Sequence, residues 1–176
     1  MKMTEKQEAA LQKANAESRQ FTREAIQDAL FMLMRKKEYE KITITDIIRK
    51  SGVSRSAFYR NYHSKEDILM GTVEPIARNI FYAFKPSRSD GWLAVFQAAY
   101  DNTEKLQLII DAKMETGLLL ILNKRLPQEG TSYMVTAMWN GIIYNLVVEW
   151  IKRGRPLGVE KMAELAADLT KSLRMA

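Results

Sequence analysis

The side chains best suited to chemistry in this sequence are the basic residues between Ile47 and Lys65. The segment contains five Lys or Arg residues and no Asp or Glu. Residues 1–65 carry 14 basic and 8 acidic side chains, whereas residues 66–176 carry 13 of each, so the whole net charge of +6 lies in the N-terminal part. This asymmetry indicates a polyanion partner for that part, although a solvated basic face would give the same pattern.

Side chains for other kinds of chemistry are scarce. The chain of 176 residues has no Cys and a single His. This excludes a catalytic thiolate, Cys-ligated zinc and a multi-His metal site, and it leaves little room for a Ser-His-Asp triad. We therefore expect no enzyme activity, no metal and no cofactor. Residues 1–18 lack the apolar core of a signal peptide, so we expect a cytoplasmic protein.

The elements that must position the basic residues are predicted to be helices, because no segment alternates as a strand would. Apolar spacing predicts an amphipathic helix over residues 18–37. Thr4 and Gln7 have the spacing of a capping box, so residues 1–17 are either a helical extension or a mobile arm.

Two short helices are predicted inside the basic segment. A capping-box pattern at Thr43 opens a helix over residues 44–50, and Gly52 can end it tightly by adopting a positive φ. Ser54 can then cap a helix over residues 55–61. Two short helices joined by a tight turn with glycine are typical of a helix-turn-helix.

The C-terminal part is predicted to be a bundle of helices. One helix begins after a cap at Ser64, runs towards Ala83 and contains Pro75, which should kink it. Residues 84–91 mark a boundary and residues 127–130 a loop, because both contain Pro and Gly. Further helices are predicted over residues 90–101, 103–112, 113–125, 133–151 and 159–174.

Two of these helices indicate self-association. The helix over residues 133–151 is apolar on most sides, yet its Glu and Asn residues argue against a membrane span. The last helix carries a narrow apolar seam from Val159 to Leu173. A chain of this size has trouble burying both surfaces, so we expect a two-fold symmetric homodimer. The residues predicted for its interface are Trp139, Ile142, Ile143, Leu146, Trp150, Met162 and Leu169.

The run from Thr43 to Leu69, TITDIIRKSGVSRSAFYRNYHSKEDIL, resembles the DNA-binding region of the TetR family of bacterial transcriptional regulators. The residues that carry the resemblance are Thr43, Ile47, Gly52–Ser54, Arg55, Tyr59, Arg60, Tyr62 and Ser64–Leu69. Ile48 departs from the pattern, since the family usually has a small residue there. The C-terminal part is similar, more weakly, to a short-domain subgroup of that family, in which a long apolar helix ending in Trp-Ile precedes a final amphipathic helix.

The resemblance implies an all-α protein with an N-terminal three-helix helix-turn-helix DNA-binding domain and a small helical-bundle regulatory and dimerisation domain. We assign residues 1–17 to an extension, 18–64 to the DNA-binding domain and 65–176 to the regulatory domain. The implied function is that of a homodimeric repressor, which binds a palindromic operator in double-stranded DNA and is released by a small ligand or partner. The alternative is a co-activator of the same fold that works with a partner protein.

The second short helix should enter the major groove with its N-terminal end, where Arg55 can read guanine edges. By resemblance, Tyr59, Thr43 and Lys65 contact phosphates. The alternative is that Tyr59 is a packing aromatic, that Lys65 is a surface residue and that Arg60 is solvated or ion-paired. The full candidate set for DNA binding is Thr43, Thr45, Arg55, Ser56, Ala57, Tyr59, Arg60, Asn61 and Lys65.

An apolar ligand cavity is a further expectation for the regulatory domain, with Asn140 as its polar contact. The other residues predicted to line it are Trp92, Phe96, Tyr100, Met114, Leu118 and Met138. The alternative is that these residues form ordinary core, because a domain of this size has little volume to spare.

Overall fold

The computed structural model describes residues 4–84, 90–124 and 132–171. Within these ranges it contains nine α-helices, a 3₁₀ turn at Tyr39–Lys41 and no β-strand, which confirms the all-α prediction. The helices are α1 (Glu5–Met34), α2 (Ile44–Ser51), α3 (Arg55–Asn61), α4 (Lys65–Ala83), α5 (Gly91–Asp101), α6 (Thr103–Asp111), α7 (Thr116–Asn123), α8 (Ser132–Lys152) and α9 (Val159–Thr170). None of the helices described is long and apolar enough to cross a membrane.

The chain divides into two compact units, Met1–Leu69 and Met70–Ala176. Each unit has its own buried residues and is described by itself. Most of the predicted boundary over residues 84–91, the predicted loop over residues 127–130, and Leu173 in the last predicted helix lie outside the described residues.

α1 includes most of the segment for which a helical extension was one of two alternatives, and it ends sooner than predicted. Its start is a capping box, in which the Gln7 N–H donates to Thr4 Oγ1 at 3.4 Å and the Thr4 N–H donates to Gln7 Oε1 at 2.9 Å. No Gly or Pro follows in this region, so the helix continues without a break for 30 residues, or about 45 Å at about 1.5 Å per residue. It ends where the Lys36 and Lys37 N–H groups both turn back to the Leu33 carbonyl.

The core of the first unit lies on one side of the C-terminal half of α1. Ile26 and Leu30 are fully buried there, and α1 packs against both α2 and α3. α2 contributes Ile47 and α3 contributes Phe58, both fully buried. Because a helix as short as α3 is not stable by itself in water, burial of Phe58 fixes it to the rest of the unit.

The second unit is built around an aromatic cluster. The ring of Trp92 lies 4.9 Å from that of Phe84, 6.0 Å from that of Phe96 and 6.4 Å from that of Trp139, measured between centroids. The Trp92 indole N–H donates to Thr170 Oγ1 at 3.0 Å, which joins α5 to α9. α8 packs against α6 and α7.

The helices of the second unit follow the predicted order, with one displaced start. α7 begins at Thr116 rather than at residue 113. The reason is that Lys113 adopts a φ of 56°, a left-handed conformation that cannot continue a helix. Pro75 lies inside α4, as predicted.

Replacement of Phe58 by alanine is expected to lower the free energy of unfolding by about 3–5 kcal/mol, because it removes a buried ring and leaves a cavity. Denaturant titration followed by circular dichroism measures this change. Phe21→Ala is the matched control on α1, since that ring is 75% exposed, and its effect should stay within about 0.5 kcal/mol. Equal losses for the two variants would contradict this description of the core.

Candidate nucleic-acid interface

α2 begins at the predicted capping box. The Asp46 N–H donates to Thr43 Oγ1 at 3.1 Å, while the Thr43 N–H and hydroxyl donate to the Asp46 carboxylate at 3.1 and 2.9 Å. Lys37 and Arg49 donate to the same carboxylate at 2.8 and 3.0 Å. The hydrogen bond from Lys37, followed by those from Thr43, holds the pKa of Asp46 well below its usual range. The carboxylate therefore stays ionised, and the cap stays formed, at physiological pH.

A tight left-handed turn separates α2 from α3. Gly52 has a φ of 71°, and its N–H donates to the Ile48 carbonyl at 3.1 Å. Residues with a side chain rarely adopt this φ, which explains the glycine. Ser54 then caps α3 by accepting a hydrogen bond from the Ala57 N–H at 3.1 Å. Both predicted helices and the predicted turn of the helix-turn-helix are confirmed.

Four candidate residues of α3 are exposed to solvent, and we call them the α3 cluster: Arg55, Ser56, Tyr59 and Arg60. The Arg55 guanidinium lies 5.5 Å from the centroid of the Tyr59 ring. The Tyr59 ring packs edge-on against Phe58, at 5.3 Å between centroids, yet it stays 40% exposed. The cluster therefore presents two guanidiniums and two hydroxyl groups to solvent from a helix that is anchored on its other side.

The remaining candidates of α2 and α3 have different environments. Thr43 and Thr45 are exposed at the start of α2, and the hydroxyl proton of Thr43 is donated to the cap. Ala57 and Asn61 are half-buried, and the Asn61 amide donates to the Ala57 carbonyl at 2.8 Å. These residues are thus less available to an outside partner than the α3 cluster.

Lys65 is held by the protein itself. Its ammonium donates to the carbonyls of Tyr39, Glu40 and Ile42 at 2.8, 3.3 and 3.2 Å, and it lies 4.3 Å from the centroid of the Tyr39 ring. The Tyr39 hydroxyl donates to Glu66 at 2.9 Å. Burial, and then the bond to Glu66, raises the pKa of Tyr39. Lys65 therefore ties the start of α4 to the 3₁₀ turn that precedes α2.

Tyr62 makes contacts that sequence reasoning also missed. It is the residue after α3 and is 2% exposed. Its hydroxyl accepts a hydrogen bond from the Gln27 amide at 2.9 Å, and the Arg23 guanidinium lies 4.7 Å from its ring centroid. The end of α3 is thereby attached to α1. Its partners lie far away in the sequence, so no local pattern reveals them.

The structure does not bring the predicted ligand-pocket residues into one environment. The buried members are Trp92, Phe96, Leu118 and Asn140. Met114 is half-buried, whereas Tyr100 and Met138 are 50% and 40% exposed. The Asn140 amide donates to Asn123 Oδ1 at 3.1 Å. A cavity of about 380 Å³ in this unit is lined by α5 and α9 residues outside this set.

The predicted dimer residues are also divided between the core and the surface. The buried members are Trp139, Ile143, Trp150 and Met162. Ile142 and Leu146 are half-buried, and Leu169 is 61% exposed. Sequence reasoning missed further exposed apolar residues, namely Tyr133, Met134 and Val135 on α8 and Leu165 on α9. Leu165 lies one turn before Leu169, and this spacing was the signal that could have found it.

Comparisons with known proteins support the same interpretation of the first unit. Residues 26–70 match the family model described as bacterial regulatory proteins, tetR family. The HTH-type transcriptional regulator YxbF of Bacillus subtilis (strain 168) is 46% identical over 54 residues, which are 30% of this chain and only 14% of that protein. The HTH-type transcriptional regulator BetI of Agrobacterium fabrum (strain C58 / ATCC 33970) is 22% identical over 83% of this chain and 84% of its own length.

Two solved structures share the fold. A TetR-family transcriptional regulator from Syntrophomonas wolfei str. Goettingen has a TM-score of 0.60 at 19% identity, over 92% of this chain and 97% of its own. A TetR transcriptional regulator from Streptococcus agalactiae 2603V has a TM-score of 0.58 at 20% identity, over 89% of this chain and 98% of its own. At such identities the likeness concerns the fold alone.

Two capped short helices, the glycine turn between them and the match over residues 26–70 define a helix-turn-helix DNA-binding domain of a transcriptional regulator. Within that class, residues 26–70 are similar to the TetR family of bacterial regulatory proteins. The predicted resemblance to this family and the predicted fold class are confirmed.

Replacement of Lys65 by methionine is expected to lower the free energy of unfolding by about 1.5–3 kcal/mol, because three carbonyls lose a charged donor. It should leave the salt dependence of DNA binding unchanged. If Lys65 contacted a phosphate, its loss from both protomers of a dimer would instead make the slope of log K against log salt shallower by about 1.8. Lys50→Met, at an exposed position of α2, is the control for stability. If Lys65→Met has normal stability and a shallower slope of log K against log salt, Lys65 does not have the structural role described above.

Proposed function

We propose that the chain is a homodimeric repressor, which binds a palindromic operator in double-stranded DNA and is released by a ligand or partner bound to the second unit. The α3 cluster is the observation that carries the DNA-binding part of this proposal. YxbF and BetI are both named as HTH-type transcriptional regulators, which supports the regulatory part. We assign the protein to the cytoplasm, where bacterial DNA lies.

Arg55 is the residue that we assign to base reading. It stands in the first turn of α3, and an exposed guanidinium can donate to both O6 and N7 of a guanine. The neighbouring Tyr59 ring restricts the conformations of the arginine side chain. A restricted side chain loses less entropy on binding, which favours affinity. Ser56 and the Tyr59 hydroxyl are then assigned to nearby phosphates or base edges.

We assign the residues at the start of α2 to contacts with the phosphate backbone of the DNA. Thr43 and Thr45 are exposed there, beside the positive end of the helix dipole. The carboxylate of Asp46 would repel a phosphate if it were unpaired. Lys37 and Arg49 neutralise it with hydrogen bonds of 2.8 and 3.0 Å, so this repulsion is reduced.

We assign the dimer interface to the exposed apolar residues of α8 and α9. Met134 is 60% exposed, Leu165 is 42% exposed and Leu169 is 61% exposed. Full burial of a large apolar side chain is worth about 1.5–3 kcal/mol, so a few of them on each protomer can offset the cost of association. A two-fold dimer would place two α3 helices in successive major grooves, about 34 Å apart.

Release by a ligand is assigned to the second unit. The amide pair of half-buried Asn123 and buried Asn140 offers polar groups among apolar helices, which is the composition that small-molecule sites need. A ligand that bonds these amides would compete with their mutual hydrogen bond and shift α7 against α8.

Replacement of Arg55 by alanine is expected to reduce discrimination between operator and unrelated DNA by about 1–3 kcal/mol, since one bidentate base contact is lost. Gel-shift titration with a duplex selected from a random-sequence library measures it. Arg153→Ala is the matched control, because it removes the same charge from an exposed arginine of the other unit. Unchanged specificity in Arg55→Ala rejects the base-reading role. A wild-type chain that enriches no duplex favours the co-activator instead.

The double substitution of Leu165 and Leu169 by glutamate is expected to convert the dimer to a monomer, because it puts four carboxylates into an apolar interface. Sedimentation equilibrium measures the mass. Leu11→Glu, at a half-exposed leucine of α1, should leave the dimer intact. The interface assignment fails if the double variant remains dimeric.

A further inference from the structure

A polar groove of about 460 Å³ lies between α1 and α3 within the first unit. The α1 side contributes Asn15, Ser18, Arg19 and Thr22, and the α3 side includes Arg60 and Asn61. None of the residues that line it is acidic. Hydroxyl, amide and guanidinium groups therefore converge on one solvent-filled space, which is suited to an anion.

The two arginines of this groove have no anionic partner within the described ranges. Arg19 and Arg60 are exposed, and the described ion pairs involve other residues. Other arginines of the same unit are engaged, because Arg23 lies over the Tyr62 ring and Arg49 binds Asp46. Two guanidiniums that share a groove repel each other unless an anion lies between them, so the site favours a bound anion.

The position of the groove indicates which anion it receives. Arg60 belongs both to the groove and to the α3 cluster, so the groove adjoins the surface that we assign to DNA. The guanidinium fork matches the geometry of phosphate oxygens. Arg19 precedes residue 26, where the family match begins, so this side of the groove lies outside the matched segment.

We propose that Arg19 and Arg60 together bind one phosphate of the DNA backbone beside the major groove that α3 enters. The proposal rests on the proposed DNA-binding function and adds a contact from the N-terminal half of α1. Phosphates are the same in every sequence, so this contact strengthens binding and fixes the orientation of α3 without reading bases. Asn15 and Ser18 supply neutral donors at the rim of the same groove.

The first test measures how the DNA affinity of the full-length Arg19→Ala variant depends on salt. Affinity should fall several-fold, and by a similar factor, for a duplex selected from a random-sequence library and for an unrelated duplex of equal length. The slope of log K against log salt should become shallower by about 1.8, because each of the two protomers loses one phosphate contact worth about 0.9. Lys6→Ala removes an equal charge from an exposed position of α1 and should change neither quantity. Circular dichroism should show unchanged folding, because Arg19 is exposed.

The second test locates the phosphate. Ethylation of single phosphates in the selected duplex should identify one flanking position in each half-site at which the modification weakens binding by the wild-type chain more than binding by Arg19→Ala or Arg60→Ala. The double variant should lose less affinity than the product of the two single losses, since both side chains bind the same group. If Arg19→Ala shows the salt slope and the ethylation interference of the wild-type chain, this inference is overturned and the proposed function stays intact. A wild-type chain that selects no duplex overturns both.

Discussion

A seven-residue helix cannot hold its conformation alone in water, and the proposed interface depends on holding α3 in place. Three contacts do so. Phe58 is fully buried against the core, Ser54 caps the first turn at 3.1 Å, and the hydroxyl of Tyr62 accepts from Gln27 on α1 at 2.9 Å. These contacts use the inner side and both ends of the helix. The outer side, with Arg55 and its neighbours, is left for a partner.

Some basic residues of the N-terminal part bind other groups of the protein, whereas others are exposed and can bind a partner. Lys37 and Arg49 bind the Asp46 carboxylate, and Lys65 binds three backbone carbonyls near the start of α2. These cations hold the helix-turn-helix together. Arg55, by contrast, has an aromatic ring of its own helix as its one partner among the residues that the structure describes. Net charge alone does not separate these roles, whereas the hydrogen bonds do.

Local features of the fold could be predicted from the sequence, and distant contacts could not. The caps at Thr43 and Ser54 and the turn at Gly52 each depend on residues within four positions, so their pattern is visible in the chain. Lys65 reaches carbonyls 23 to 26 positions away, in a 3₁₀ turn that no periodicity marks. The buried state of Trp139 depends likewise on helices that pack from elsewhere, so an apolar pattern predicted burial without showing whether core or partner provides it.

We propose that the first unit binds duplex DNA through its positive charge, and that the second unit, with 13 basic and 11 acidic residues, holds the dimer. The most direct measurement is a salt titration of the wild-type chain, in which operator affinity and self-association are followed in the same buffers. We expect log K for the operator to fall steeply and linearly with log salt, whereas the dimerisation constant should hardly change. Operator affinity that is insensitive to salt would show that DNA binding does not depend on the positive charge, and a dimer that dissociates with rising salt would show that its interface is not apolar.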